Sequence, residues 1–363
     1  MTLPLAEVNL PLGFSMILIA AVAGGLFGLQ YRVMKKYTVE NSSLLSLLFA
    51  TIVVPTIAVY FIVPGWTDVI REAGWGRNIL IFVFGFGWGL GAITYAYGFN
   101  ILGMALAAAI IKGITIAIGS GVPLFRKWSE VPAEAAAWTI VGLVILIVGT
   151  VIAGFSGILR EREQRVEQER GQSGVAATAT TVLRPTGRVF WAGMLLCLLS
   201  GFLSACANLG YEFADVLQDI AERRSGEELT WRATLIRWMP MYWGGISALV
   251  LCMGGAMIKN GTWRNYLAPG SFRDCFISGL MGAVHFLAQI PYGIGAFYLA
   301  TLGTTVGWGA NIGMALIVAT AVGFITKEWK GASRNSLTAL LLGIVILLAA
   351  IGILAYANGL MPS

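Results

Sequence analysis

Ten apolar runs of about 20 residues, parted by short charged blocks, divide this 363-residue chain from end to end. A run of that length spans a hydrocarbon core of roughly 30 Å as a helix, so ten of them commit the chain to a lipid bilayer. Composition agrees: 57% of residues are hydrophobic and 12% charged, with a mean hydropathy of +0.79. The 46 glycines suit close helix packing in lipid. The expected fold class is an all-α polytopic membrane protein. Its ten transmembrane helices are predicted at 12–31, 44–64, 79–100, 103–125, 135–156, 189–211, 235–257, 276–298, 302–325 and 335–358. The opening MTLPLAEVNLPLG has no basic region of the kind that leads a cleaved signal, so the first run is expected to stay as an anchor.

The net charge of +6 belongs to the loops and calls for no nucleic-acid partner. Fifteen of the 24 lysines and arginines fall in loops after odd-numbered spans: Arg32, Lys35, Lys36, six arginines between 160 and 188, Lys259, Arg264, Arg273, Lys327, Lys330 and Arg334. About eight lie on the other side, so the odd loops are predicted to be cytoplasmic and both termini periplasmic. Cys197, Cys206 and Cys252 lie in apolar runs and Cys275 at the edge of one, without metal or redox spacing. Buried free thiols are expected, with no metal and no cofactor.

Two halves resemble each other. GLVILIVGTVIAGF at 142–155 aligns with GIVILLAAIGILAY at 343–356, and LGMALAAAIIKGI at 102–114 with LGTTVGWGANIGM at 302–314. The offsets, 201 and 200, are nearly equal, which marks a register rather than shared apolar composition. The predicted organisation is a first five-helix repeat at 1–156, a cytoplasmic linker at 157–188 and a second five-helix repeat at 189–363. Five spans is an odd number, so the second repeat must enter the membrane upside down. Inverted repeats with a site near the midplane are an architecture of secondary transporters. In the linker, Glu161 with Arg165 and Arg165 with Glu169 are opposite charges four apart, a weak helix signal.

Lys112 sits in the apolar run AAAIIKGITIAIGSG, where a charge at the helix centre costs roughly 2.5–3.5 kcal/mol. At 1.5 Å per residue, Lys112, His285 and Asn311 each lie about nine residues, roughly 14 Å, inside their spans. His285, Gln289 and Tyr292 share one helical face, as do Trp88, Ala92 and Tyr95, and Thr304, Trp308, Asn311 and Ala315. Small residues Ala105, Ala108, Thr115 and Gly119 flank Lys112 on its own face. Aromatic faces beside amide and imidazole groups suit a sugar, or else pack helices. The substrate-binding candidates are Lys112, Trp88, Tyr95, Gln289, Tyr292, Trp308 and Asn311.

Lys112 has four readings: a structural lysine bonded to carbonyls, the partner of an anionic substrate, a titrating group, or a snorkelling side chain. His285, the sole histidine, is either a proton-coupling group, as Lys112 is in its titrating reading, or a neutral helix-to-helix bond. Glu212 and Asp215 are expected in a solvated loop past the end of span six, with an outer gate or proton entry as the alternative. GFGWGLG at 85–91 lies inside a span, so it is no nucleotide loop; its glycines form two small-xxx-small pairs. Pro55, Pro123 and Pro291 are expected to kink their helices.

Three stretches carry a family likeness: YRVMKKYTVE after span one, FVFGFGWGLGAITYAYGFNILGMALAAAIIKGITIAIG across spans three and four, and KEWKGASRNS before span ten. On these the chain resembles the L-rhamnose–proton symporter family of the drug/metabolite transporter superfamily. The resemblance runs the full length. It implies two inverted five-helix halves and uptake of a deoxy sugar with protons across the bacterial inner membrane. Lys112 stands where that resemblance leads one to expect an apolar residue, and His285 where it leads one to expect an aromatic one. The leading expectation is therefore a proton-coupled sugar transporter, and the alternative a carrier or exporter of a sugar acid or other small organic anion. No nucleophile with its base appears, so a membrane enzyme is not expected. No loop is long enough for a soluble receptor domain.

Overall fold

The computed structural model describes residues 8–26, 34–171, 187–225, 229–327 and 329–362. Helices dominate them and no strand occurs among them, as lipid requires of a backbone with no water to bond. The α-helices are α1 (Leu10–Leu26), α2 (Val39–Leu48), α3 (Val54–Ile62), α4 (Trp66–Leu102), α5 (Met104–Arg126), α6 (Ala133–Gly171) and α7 (Arg188–Phe213). There follow α8 (Asp215–Ser225), α9 (Met239–Leu249), α10 (Gly255–Asn260), α11 (Phe272–Tyr298), α12 (Gly303–Ile325) and α13 (Arg334–Gly359). Nine helical stretches among the described residues are long and apolar enough to cross a bilayer, and α1 is a shorter apolar helix. Arg32, residues 172–186 of the predicted linker and the side chains of Arg165 and Glu169 lie outside the described residues.

Two of the spanning helices are interrupted in the same way. α2 passes into α3 through a π-helical turn at Phe49–Val53, and α9 into α10 through another at Val250–Gly254. Pro55 accounts for the first, since its missing N–H breaks the α-helical ladder just beyond the turn. The second precedes Gly254 and Gly255, weak helix formers. The turns are 201 residues apart, the offset that aligns 142–155 with 343–356. α5 and α12 are both 23 residues long and begin 199 residues apart. Pro123 and Pro291 lie inside helices that continue past them.

Glycines set the closest crossings. A Cβ on Gly85 would lie 1.8 Å from the Met241 carbonyl oxygen, and one on Gly89 2.5 Å from that of Gly245, so this edge of α4 touches α9 backbone to backbone. Gly87 and Gly91, on the other edge, face Cys206 and Leu203 of α7. The two small-xxx-small pairs read in GFGWGLG thus serve two different neighbours. Gly74 breaks α4 with φ 78°, and Asn78 donates to the carbonyls of Ile70 and Gly74 that the break releases.

Carboxylates tie down the opposite ends. One oxygen of Asp274 accepts from the main-chain N–H groups of Lys35, Lys36 and Tyr37 at 2.8, 2.5 and 3.0 Å. Glu161 accepts from Ala105 at the start of α5, and Glu163 from Ser333 at the start of α13. Asp274→Asn keeps an acceptor but loses the charge, and is expected to cost about 1–2 kcal/mol. A melting midpoint equal to wild type in a detergent thermal scan sinks that expectation. The four thiols are free, but Cys252 is exposed and Cys275 only half-buried, which corrects the expectation that all four are buried. An apolar run in a membrane helix places side chains against lipid as readily as against protein.

Candidate functional site

Aromatic rings from six helical segments meet in the interior. Trp238 closes a 3₁₀ segment, Thr230–Trp238, and Tyr242 lies one turn later in α9, so their rings stack 5.3 Å apart at 16°. Tyr211 of α7 packs on Trp238 at 4.4 Å. Tyr292 of α11 meets Tyr211 edge-on at 5.5 Å, and Trp308 of α12 meets Tyr292 edge-on at 5.8 Å. Trp88 of α4 completes the row against Tyr242 at 6.1 Å. Tyr211, Trp238, Tyr242 and Tyr292 are buried, whereas Trp88 and Trp308 are half-buried.

Several polar edges of this cluster are unpaired. The Tyr242 hydroxyl, the indole N–H groups of Trp238 and Trp308, and the Asn311 amide oxygen are buried without a hydrogen-bond partner among the described residues. Interiors normally pair such groups, so four of them on or beside one set of rings require an explanation. Donors and acceptors set among aromatic faces match a ligand that carries both hydroxyls and C–H faces.

Asn208, fully buried on α7, organises one side of the cluster. Its amide donates to the carbonyls of Gly119 on α5 (2.7 Å) and Thr304 on α12 (2.9 Å). Its oxygen accepts from the Tyr292 hydroxyl at 2.5 Å. The bond to Gly119 has a local cause. The regular donor to that carbonyl is the N–H four residues on, and that residue is Pro123, which has none. Asn208 supplies the missing donor. A Cβ on Gly119 would also lie 2.5 Å from Trp308 Nε1, so glycine admits the indole here.

Trp88, Tyr292 and Trp308, proposed from helical spacing, thus come together, and Asn311 lies one turn beyond Trp308. Tyr95 does not join them; it packs on Phe99 at 4.4 Å in a separate cluster with Ala107, Ile111 and Cys197. Gln289 and His285 are half-buried on α11, where the neighbouring Phe286 meets Tyr242 at 6.1 Å. Lys112 is half-buried on α5, one turn before Thr115, which donates to the carbonyls of Ile111 and Gly201. No carboxylate among the described residues lies within ion-pair distance of Lys112.

Glu212 corrects the expectation of a solvated loop. The chain stays helical through α7 and α8, and the Glu212 side chain is fully buried. Its carboxylate meets Arg126 at 2.7 Å, Lys127 at 3.1 Å and, at 3.9 Å, Arg237. It also accepts from the Thr304 hydroxyl at 2.5 Å. Asp215 holds the other arm of Arg126 at 2.6 Å. Arg237 in turn donates to the Tyr211 carbonyl at 2.7 and 2.9 Å. Sequence reading missed Asn208, Tyr211, Trp238, Tyr242 and Arg237. The i, i+4 pair Trp238 and Tyr242 in RWMPMYW was visible; the role of Asn208 was not, because its partners are carbonyls on other helices.

A family model described as L-rhamnose-proton symport protein (RhaT) matches residues 7–359. The chain is similar to the L-rhamnose-proton symporter of Escherichia coli O17:K52:H18 (strain UMN026 / ExPEC), 22% identical over 354 residues, covering 93% of this chain and 94% of that protein. It is also similar to the L-rhamnose-proton symporter of Yersinia pestis (strain Pestoides F), 22% identical over 359 residues, covering 93% of this chain and 96% of that protein.

Proposed function

The chain belongs to the L-rhamnose-proton symport protein family, and on that premise we propose that it is a proton-coupled transporter of L-rhamnose or a closely similar sugar in the bacterial inner membrane. The observation that carries the substrate class is the ring cluster with its unpaired edges at Tyr242, Trp238, Trp308 and Asn311. A sugar stacks its C–H faces on the rings and pairs those edges with its hydroxyls. Trp88 and Trp308, half-buried at the two ends of the row, are the points of entry.

The transporter is built as two inverted five-helix repeats, 1–156 and 189–363, joined by a cytoplasmic linker at 157–188, with both termini periplasmic. The matched π-turns and the equal lengths of α5 and α12 support the repeat. The sugar site lies where the two halves meet, since Trp88 belongs to the first and the other rings to the second. Rocking of one half against the other opens the site to either side in turn. The test is uptake of labelled L-rhamnose into proteoliposomes with and without an inward proton gradient. Accumulation only with the gradient supports the reading, and equal uptake in both sinks it.

A second reading rests on Lys112. A cation without a carboxylate partner among the described residues, in the apolar middle of a spanning helix, attracts an anionic group on the substrate. On that reading the cargo is a sugar acid. Wild type then prefers the acid over L-rhamnose, and Lys112→Ile loses that preference by tenfold or more in competition uptake. Unchanged competition in Lys112→Ile removes the anion reading and leaves the neutral sugar.

A further inference from the structure

The residues expected to couple protons, on sequence grounds, are His285 and Lys112. The geometry points elsewhere. Glu212 has no exposed side-chain surface, while two of the three cations that neutralise it reach water: the Arg126 and Lys127 side chains are 29% and 20% exposed, and Arg237 stays buried. A buried carboxylate contacted by cations that have somewhere else to go is a two-position arrangement. With the cations in place it is held ionised; with Arg126 and Lys127 withdrawn into water it keeps only Arg237, 3.9 Å away and bonded to the Tyr211 carbonyl, and a buried carboxylate so short of counter-charge binds a proton instead.

The same carboxylate is wired to the ring cluster. Glu212 accepts from the Thr304 hydroxyl, the Thr304 carbonyl accepts from Asn208, and Asn208 accepts from Tyr292. Every element around it contributes a polar group. α5 brings Arg126 and Lys127, the 3₁₀ segment brings Arg237, and α8 brings Asp215 through Arg126 and Asp219 beyond it. α7 brings Tyr211 through its carbonyl, α12 brings Thr304, and α11 brings Tyr292 through Asn208. The cluster therefore binds the ends of α5, α7 and α12 together at one membrane surface, which the loop charges make the outer one.

Resting on the symport reading above, we propose that Glu212 is the proton-carrying carboxylate of transport, and that its ion pairs with Arg126 and Lys127 form the outer latch. When the outer end opens, Arg126 and Lys127 withdraw and Glu212 takes one proton from the outer water. Sugar binding at Tyr292 and Trp308 draws α11 and α12 together and closes the end. The returning cations displace that same proton, which leaves toward the inner side as the sugar is released. Each turnover thus moves one proton with one sugar, and the carboxylate returns to its ionised, latched form.

Two measurements test this. In proteoliposomes Glu212→Gln is expected to lose proton-driven L-rhamnose accumulation by twentyfold or more, yet keep counterflow exchange within about threefold, because exchange needs no net proton movement. Glu212→Asp restores part of the driven uptake, and His285→Phe keeps it. Driven accumulation by Glu212→Gln, or its specific loss in His285→Phe, overturns the proposal. The second measurement needs no substrate. Thr305, buried beside Thr304, is replaced by cysteine in a chain whose four native thiols are alanine, and labelled with a membrane-impermeant maleimide. Labelling rate, taken relative to that of the same cysteine in detergent-unfolded protein at the same pH so that the thiolate fraction cancels, is expected to rise at least fivefold from pH 8 to pH 5, and to be high and independent of pH once Glu212→Gln is added. Labelling that ignores Glu212→Gln overturns the latch. A wild type that accumulates no L-rhamnose removes the substrate reading, and the labelling then decides the role of Glu212 by itself.

Discussion

Gly85→Ala is expected to remove most of the folded protein, whereas Gly121→Ala is expected to be harmless. One methyl group is added in each case, so the difference isolates the environment. At Gly85 the new carbon would lie 1.8 Å from the carbonyl oxygen of Met241 and 2.6 Å from its carbon. At Gly244, on the facing helix, it would lie 2.0 Å from the Phe82 oxygen, so the contact is reciprocal. The neighbour is main chain, which has no rotamer to change, and α4 and α9 must separate along their length. Overpacking a core costs about 1–3 kcal/mol when side chains can shift; a rigid backbone contact belongs above that range. Lipid offers no hydrophobic force to hold separated helices together, since tails are as apolar as side chains. At Gly121 nothing lies within 4 Å, and alanine improves helix propensity by about 1 kcal/mol. The measure is the monodisperse fraction and melting midpoint in detergent. Gly85→Ala melting with wild type would show that the crossing is looser than described.

The glycine pairs in GFGWGLG also show how much was legible in the sequence. Spacing alone identified two packing edges on one helix, and the long apolar helices followed from run length, because lipid leaves the backbone few options, although α4 and α6 run well past the limits predicted for them. The π-turns were harder. Pro55 announced a disturbance, but nothing in VLCMGGA announced its counterpart at Val250–Gly254, and only the 201-residue offset links them. Site residues were legible where the signal is periodic, as for Trp88, Tyr292 and Trp308. Tyr95 shares a predicted face with Trp88 yet packs elsewhere: two turns carry it some 10 Å along the axis, past the end of the cluster. Glu212 was misread because a charge near the end of an apolar run normally signals water. Here it signals cations brought from 85 and 25 positions away, which no local pattern contains.

Asn208→Leu is expected to abolish transport in every mode, driven and exchange alike, by at least tenfold. Leucine keeps the branched outline of asparagine but is larger, so in this fully buried place it adds bulk to the loss of bonds, and only a second substitution can separate the two. It strips the Gly119 and Thr304 carbonyls of one donor each and the Tyr292 hydroxyl of its acceptor. An orphaned buried group costs about 1–3 kcal/mol, and Gly119 is the worst placed of the three, because Pro123 gives its carbonyl no helical donor. That dependence supplies the decisive variant. Pro123→Ala returns an N–H to α5, which closes the α-helical bond to Gly119 without help from α7. Added to Asn208→Leu, it is expected to recover about 1 kcal/mol of the lost stability, the value of one such bond. It is not expected to restore transport, since Tyr292 remains untethered and the ring cluster loses its aim. Equal stability losses for Asn208→Leu with and without Pro123→Ala, in a double-mutant cycle of detergent melting, would mean that asparagine does not replace the proline's missing donor. Recovery of both stability and uptake would make Asn208 a prop for α5 alone, with no part in holding Tyr292.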